Sequence, residues 1–287
     1  INLFGAKMGA AVSTFFSVAK LVPIALFVTW GATAIDGGLY TPFAPQGWGP
    51  LAETTMLLLY AYVGFETLVV PAGEMANPQR SVPIALGLVM VIVTITYMAV
   101  LGVSFGTLPG IAGHANPVAE ASSRVMGPVG GTIIAAGIAV SVFGTNAGAA
   151  LVSPRRFYAM AERGDLPRWF AAVDPKSGSP VRAIVLTWAL AAVLALSGSF
   201  KELAVLGVMA RFCQYIPTCL AVLVLRRKAD APAGGFVLPG GPAIPLLTIG
   251  LCVWLLANSD PKKLMWGAVA LGAGVPFYVL SRWRRPA

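Results

Sequence analysis

Leu57-Leu58-Leu59-Tyr60-Ala61-Tyr62-Val63-Gly64-Phe65-Glu66 is the stretch on which the fold turns. An apolar and aromatic run leads into a glycine and then a carboxylate, with Pro71, Gly73 and Glu74 close behind. The surrounding segment, 51–75, has the length of a membrane span, which puts Glu66 near mid-membrane. An ionised carboxylate facing lipid costs about 3 kcal/mol or more, so Glu66 has to face protein or water, or take up a proton. Gly64 permits backbone angles that other residues avoid and lets the helix unwind, baring backbone groups to a solute. Broken helices at the midplane recur in secondary transporters, because half-helix ends present oriented dipoles to a charged substrate. The competing reading is a kinked helix whose Glu66 is bonded to a neighbouring helix.

Outward from this stretch the composition agrees. Of 287 residues, 57% are hydrophobic and 11% charged, too little polar surface for a water-soluble globule. The apolar runs are long and do not alternate, which selects helices of about 20 residues over barrel strands of about 10. Eight spans are predicted, at about 8–34, 51–75, 82–107, 128–160, 181–198, 202–225, 242–258 and 263–281. The expected fold class is an all-α polytopic membrane protein. Segment 162–180, interrupted by Pro167, Pro175 and Pro180, reads as a loop with at most a short helix. Segment 108–127 reads as the main loop of the opposite face, either a re-entrant gate or an ordinary connection. The chain starts at Ile1 without a Met or a signal peptide, and an N-terminal truncation is expected.

The basic residues test the topology. Lys7, Arg80, Arg155, Arg156, Arg163, Arg168, Lys176, Arg182, Arg226, Arg227, Lys228, Arg282, Arg284 and Arg285 fall in alternate inter-helix segments, against Arg124, Lys201, Lys262 and Lys263 on the other side. That bias makes the first face cytoplasmic, predicts a multi-pass inner-membrane protein with a cytoplasmic C-terminus, and accounts for the net charge of +9 without nucleic acid.

Lys20 and Arg211 fall within spans. Lys20 lies about 12 residues into its helix, roughly 18 Å at the usual rise, near mid-bilayer. A buried ammonium can release its proton, which makes Lys20 a proton carrier, a fixed cation replacing a bound metal ion, or a structural cation bonded to carbonyls. Pro23 leaves a nearby carbonyl without its helical partner, which suits each reading. In the fourth span, Ser141, Gly144, Thr145, Asn146 and Gly148 can line an ion site or serve close helix packing through Gly144-x-x-x-Gly148. Arg211 can pair with a carboxylate or mark a gate. Cys213, Cys219 and Cys252 lie in apolar runs without metal or redox spacing. The lone histidine, His114, is in a loop, and no phosphate-binding or nucleophile motif is found. No enzyme, cofactor or metal site is expected.

Three stretches resemble the amino acid, polyamine and organocation superfamily of permeases: Ala61-Tyr62-Val63-Gly64-Phe65-Glu66 with Glu74-Met75-Ala76-Asn77-Pro78-Gln79-Arg80-Ser81-Val82-Pro83; Ser153-Pro154-Arg155-Arg156-Phe157-Tyr158-Ala159-Met160-Ala161-Glu162-Arg163-Gly164-Asp165-Leu166-Pro167; and Leu225-Arg226-Arg227-Lys228. The resemblance implies a twelve-helix transporter whose first ten helices form two inverted repeats of five, with the first four helices missing here. On that register, 1–34 is the last helix of the first repeat, 51–227 is the second repeat with its break at 64–66, and 228–287 carries two accessory helices. It further implies that backbone carbonyls near Tyr60, Ala61 and Val63, bared by the break at Gly64, receive a substrate ammonium while Phe65 covers the side chain. Glu66 matches a commonly acidic position, with its role in substrate binding or structure open. Lys20 matches a lysine that stands in for a sodium ion in proton-coupled members, and Ser141 and Thr145 lie near that place. Pro154 departs from the family pattern and is expected to bend the helix end.

The expected function is proton-coupled secondary transport of an amino acid or related amine by alternating access, with substrate, protons and the lipid bilayer as partners. The alternatives are an amino acid or polyamine exchanger without net proton coupling, and a non-transporting sensor of the same fold.

Overall fold

The computed structural model describes residues 14–272, apart from 46, 76, 176–177, 199, 228–238, 263, 266 and 270–271. Most of the predicted eighth span, 263–281, and Lys7, Lys176, Lys228, Lys263, Arg282, Arg284 and Arg285 lie outside the described residues.

Among the described residues, helices form where the apolar runs are long. They are α1 (Leu21–Gly31), α2 (Leu51–Tyr62), α3 (Pro78–Thr107), α4 (Pro117–Glu162), α5 (Val181–Ser197), α6 (Phe200–Leu225) and α7 (Ala243–Ala257). Among the described residues, four helical spans are long and apolar enough to cross a membrane: Thr14–Ala34, which contains α1, then Pro78–Thr107, Pro117–Glu162 and Leu203–Leu225. On α3, Leu88, Val91, Ile95 and Met98 are all more than half exposed. Their three- and four-residue spacing makes one continuous apolar stripe, which water would penalise and lipid accepts. The helices α5 and α7 are apolar but shorter.

The chain divides into two compact units, residues 1–45 with 91–188 and residues 46–90 with 189–287. The helices α3 and α5 pass from one unit to the other.

In the first unit the span Thr14–Ala34 packs on α4 through glycines. A Cβ added at Gly144 would lie 2.5 Å from Phe16 Cβ, and one at Gly137 would lie 2.7 Å from the Pro23 ring. Gly144 therefore serves close packing, the second of its two sequence readings. Phe27, Val103, Leu108, Ala121 and Ile134 form the buried cluster.

The connection 108–127 is more ordered than the sequence reading allowed. A 3-10 turn at Ile111–Gly113 is followed by helix from Pro117, and only Gly127, at φ 72°, departs from helical angles before Pro128 resumes it. The reason is local. Proline at the first helical position loses no helical hydrogen bond, and Glu120 Oε1 accepts the Asn116 N–H at 3.2 Å. Pro154 is fully buried and the helix continues through it to Glu162.

In the second unit, α2, α6 and α7 share a core of Ala52, Met56, Val205, Val208, Met209, Phe212, Cys252 and Leu255. The α6 members recur at three- and four-residue spacing, so one stripe of that helix faces its neighbours. Cys252 is a packing residue there, as its apolar setting suggested.

Candidate functional site at the helix break

The helix α2 ends at Tyr62, Val63 turns to extended angles (φ −60°, ψ 133°), and a 3-10 segment runs Phe65–Glu74. Gly64, at φ 120°, makes this possible, since side-chain-bearing residues rarely adopt that angle. Ending the helix leaves its last carbonyls without α-helical donors. Tyr60 C=O is met instead by Val63 N–H at 3.1 Å. The Gly64 C=O accepts both the Thr67 N–H at 2.9 Å and the Thr67 hydroxyl at 2.6 Å. The Gly64 N–H donates to Glu66 Oε2 at 3.0 Å. The break is thus tied by its own side chains into one defined conformation.

It is also tied to α6. Arg211 Nη1 lies 2.7 Å from Glu66 Oε1, with side chains only 24% and 10% exposed. The contact is ionic without an aligned N–H, so Oε1 is buried with no hydrogen-bond donor. One turn further along α6, the Tyr215 ring lies 6.3 Å from Phe65. The Tyr60 ring stands edge-on to Phe200 at 5.5 Å. Glu66 is therefore bonded to a neighbouring helix, as its competing reading held, and Arg211 pairs with a carboxylate, the first of its two readings. Tyr215 and Phe200 were not singled out in the sequence; Tyr215 shares a helix face with Arg211 at i, i+4, which is the signal that exposes it.

Tyr60, Ala61, Val63, Gly64, Phe65 and Glu66 lie together in the second unit, whereas Lys20, Ser141 and Thr145 belong to the first. Lys20 sits at a turn just before α1, half-buried, its N–H bonded to Phe16 C=O at 3.1 Å. The Phe16–Gly144 and Pro23–Gly137 approaches bracket it, which puts Ser141 level with Lys20 and Thr145 about one turn off. Among the described residues no hydrogen bond or ion pair joins Lys20 to Ser141, Thr145 or a carboxylate.

His114 Nδ1 pairs with Glu120 Oε2 on the short helical stretch before Gly127. That contact, then the Asn116 N–H, holds the Glu120 carboxyl below the ordinary carboxylate range. A cavity of about 610 Å³ in the first unit, lined among others by Tyr40, Phe43, Phe105 and Ile111, touches none of the sequence-predicted site residues. Among the described residues, no cluster of metal-ligating side chains occurs.

Long apolar helices, an outward apolar stripe and a discontinuous helix carrying a carboxylate define a multi-pass helical membrane protein of the transporter type. The chain belongs to the amino acid permease family, whose model matches residues 1–273, and so to the amino acid, polyamine and organocation superfamily. It is 30% identical to the serine/threonine exchanger of Bacillus subtilis (strain 168), with 99% of this chain and 67% of that protein covered. It is 27% identical to the methylthioribose transporter of the same organism and 28% identical to its branched-chain amino acid permease, in each case over 96% of this chain and 60% of the relative. The chain therefore spans from 60% to 67% of the length of these relatives.

Proposed function

We propose that this chain is part of a secondary transporter that moves an amino acid, or a related amine, across the inner membrane by alternating access, coupled to protons. The observation that carries the reading is the break at Gly64. In this reading it interrupts the span expected at 51–75, at the depth where a zwitterion needs backbone dipoles in place of water. Tyr60, Ala61 and Val63 offer backbone carbonyls to the substrate ammonium at the Gly64 break, Phe65 covers the side chain, and Glu66, paired with Arg211, belongs to the same wall. Tyr60 C=O already accepts one N–H, so its second lone pair is what a ligand meets.

Lys20 serves as the coupling group, with Ser141 and Thr145 as polar neighbours on α4. Its position within the apolar span Thr14–Ala34, level with Ser141 on α4, is what supports this role. The inverted repeat of five helices, with the basic face and the C-terminus cytoplasmic, is the architecture that suits this cycle.

A second reading, exchange without net proton movement, is favoured by the name of the serine/threonine exchanger to which the chain is similar. Counterflow and net uptake in proteoliposomes, with and without a pH gradient, separate the two. Proton coupling predicts uptake that the gradient drives and that Lys20→Ala makes insensitive to it. Uptake by Lys20→Ala that still follows the gradient refutes the role of Lys20. Binding without uptake or counterflow would favour a sensor.

A further inference from the structure

Resting on the transport reading, we infer that the Glu66–Arg211 pair restricts the site to amino acids whose side chains are uncharged. Glu66 belongs to the broken segment, and its carboxylate engages the break through Gly64 N–H on one oxygen and α6 through Arg211 on the other. The pair brings one negative and one positive charge to the same wall, which is then neutral. In a low-dielectric setting a charged side chain pays a desolvation cost that only a free countercharge offsets. Glu66 is already engaged by Arg211, so it offers no free anion to a cationic side chain. Arg211 is engaged by Glu66 in the same way and offers none to an anionic one. The Phe65 and Tyr215 rings beside the pair add apolar surface, which suits an uncharged side chain.

The chemistry makes a parity rule. Arg211→Gln leaves an unpaired anion at the wall, Glu66→Gln leaves an unpaired cation, and the double variant restores neutrality. The test is displacement of a bound radiolabelled neutral amino acid by serine, leucine, lysine and glutamate. It uses the purified protein expressed at its natural length, with each variant checked for folding by thermal unfolding. Wild type should be displaced by serine or leucine and not by lysine or glutamate. Arg211→Gln should gain at least about tenfold in relative affinity for lysine, and Glu66→Gln the same for glutamate. The double variant should return to the wild-type preference. Should one single variant fail to fold, the other single variant and the double variant still decide the matter. Folded variants that all keep the wild-type charge preference overturn this inference and leave the transport reading intact. A wild-type protein that binds no amino acid of any charge overturns the transport reading itself.

Discussion

The Gly64 N–H is held 3.0 Å from Oε2 of Glu66, so the residue that breaks the helix is bonded to the carboxylate that follows it. Gly64 keeps φ at 120°, and a Cβ there would touch nothing within 4 Å. Gly64→Ala therefore tests backbone strain without a steric clash. The substitution should lower stability by about 1–3 kcal/mol, or force the segment back toward helix with loss of substrate binding. Thermal unfolding and ligand binding of the purified variant report the two outcomes. Unchanged values for both would show that the strained angle is unimportant.

Packing of the span Thr14–Ala34 on α4 gives a second prediction. Gly144→Ala places a methyl 2.5 Å from Phe16 Cβ, and Gly137→Ala places one 2.7 Å from the Pro23 ring. Neither neighbour is the end of a flexible chain, so each variant should lose about 1–3 kcal/mol. Gly87→Ala on α3 is the control, since a Cβ there meets nothing within 4 Å. It should be neutral or slightly stabilising, because alanine is the better helix former. Equal melting temperatures for all three variants would refute the close contact.

The sequence carried the class and the break but not the partners. Long apolar runs locate spans because lipid demands them, and Gly64 followed by Glu66 cannot sit in an ordinary span, so both were legible. The role of Gly144 was not, since packing and ion binding ask for the same small residues and only Phe16 opposite it decides. The pairing of Glu66 with Arg211 joins residues far apart in the chain, which no local pattern specifies. The helix beginning at Pro117 was missed because a search for apolar spans passes over Asn116-Pro117 with Glu120 reaching back, a start signal made of polar groups. Whether the helices form an inverted repeat depends on how whole bundles are arranged, a property that lies above any single motif.

The His114–Glu120 contact predicts a pH dependence. The Glu120 carboxyl is held below its ordinary range, by the His114 contact first and the Asn116 N–H second. A group depressed in the folded state contributes stability above its unfolded pKa, about 4.3 for glutamate. That contribution is lost as pH falls through the lower folded value. Thermal unfolding should therefore show wild type above Glu120→Gln at pH 6, with the gap closing below about pH 4. The effect should be small, since both side chains are more than a third exposed. A gap that persists undiminished at pH 3 would mean the carboxylate is not its source.

Phe65 and Tyr215 supply the last test, because their rings are 6.3 Å apart and tilted by 33°. This is within the range where aromatic pairs hold one another in place, at about 0.5–1.5 kcal/mol beyond burial. If Tyr215 orients Phe65 over the substrate, the ring matters and the hydroxyl does not. Tyr215→Phe should bind substrate within about twofold of wild type, whereas Tyr215→Ala should weaken binding about tenfold. Phe65→Ala should cost at least as much, and adding Tyr215→Ala to it should cost little more, since the second ring then has nothing to position. Fully additive losses in that double variant would show that the two rings act separately, with Tyr215 serving α6 alone.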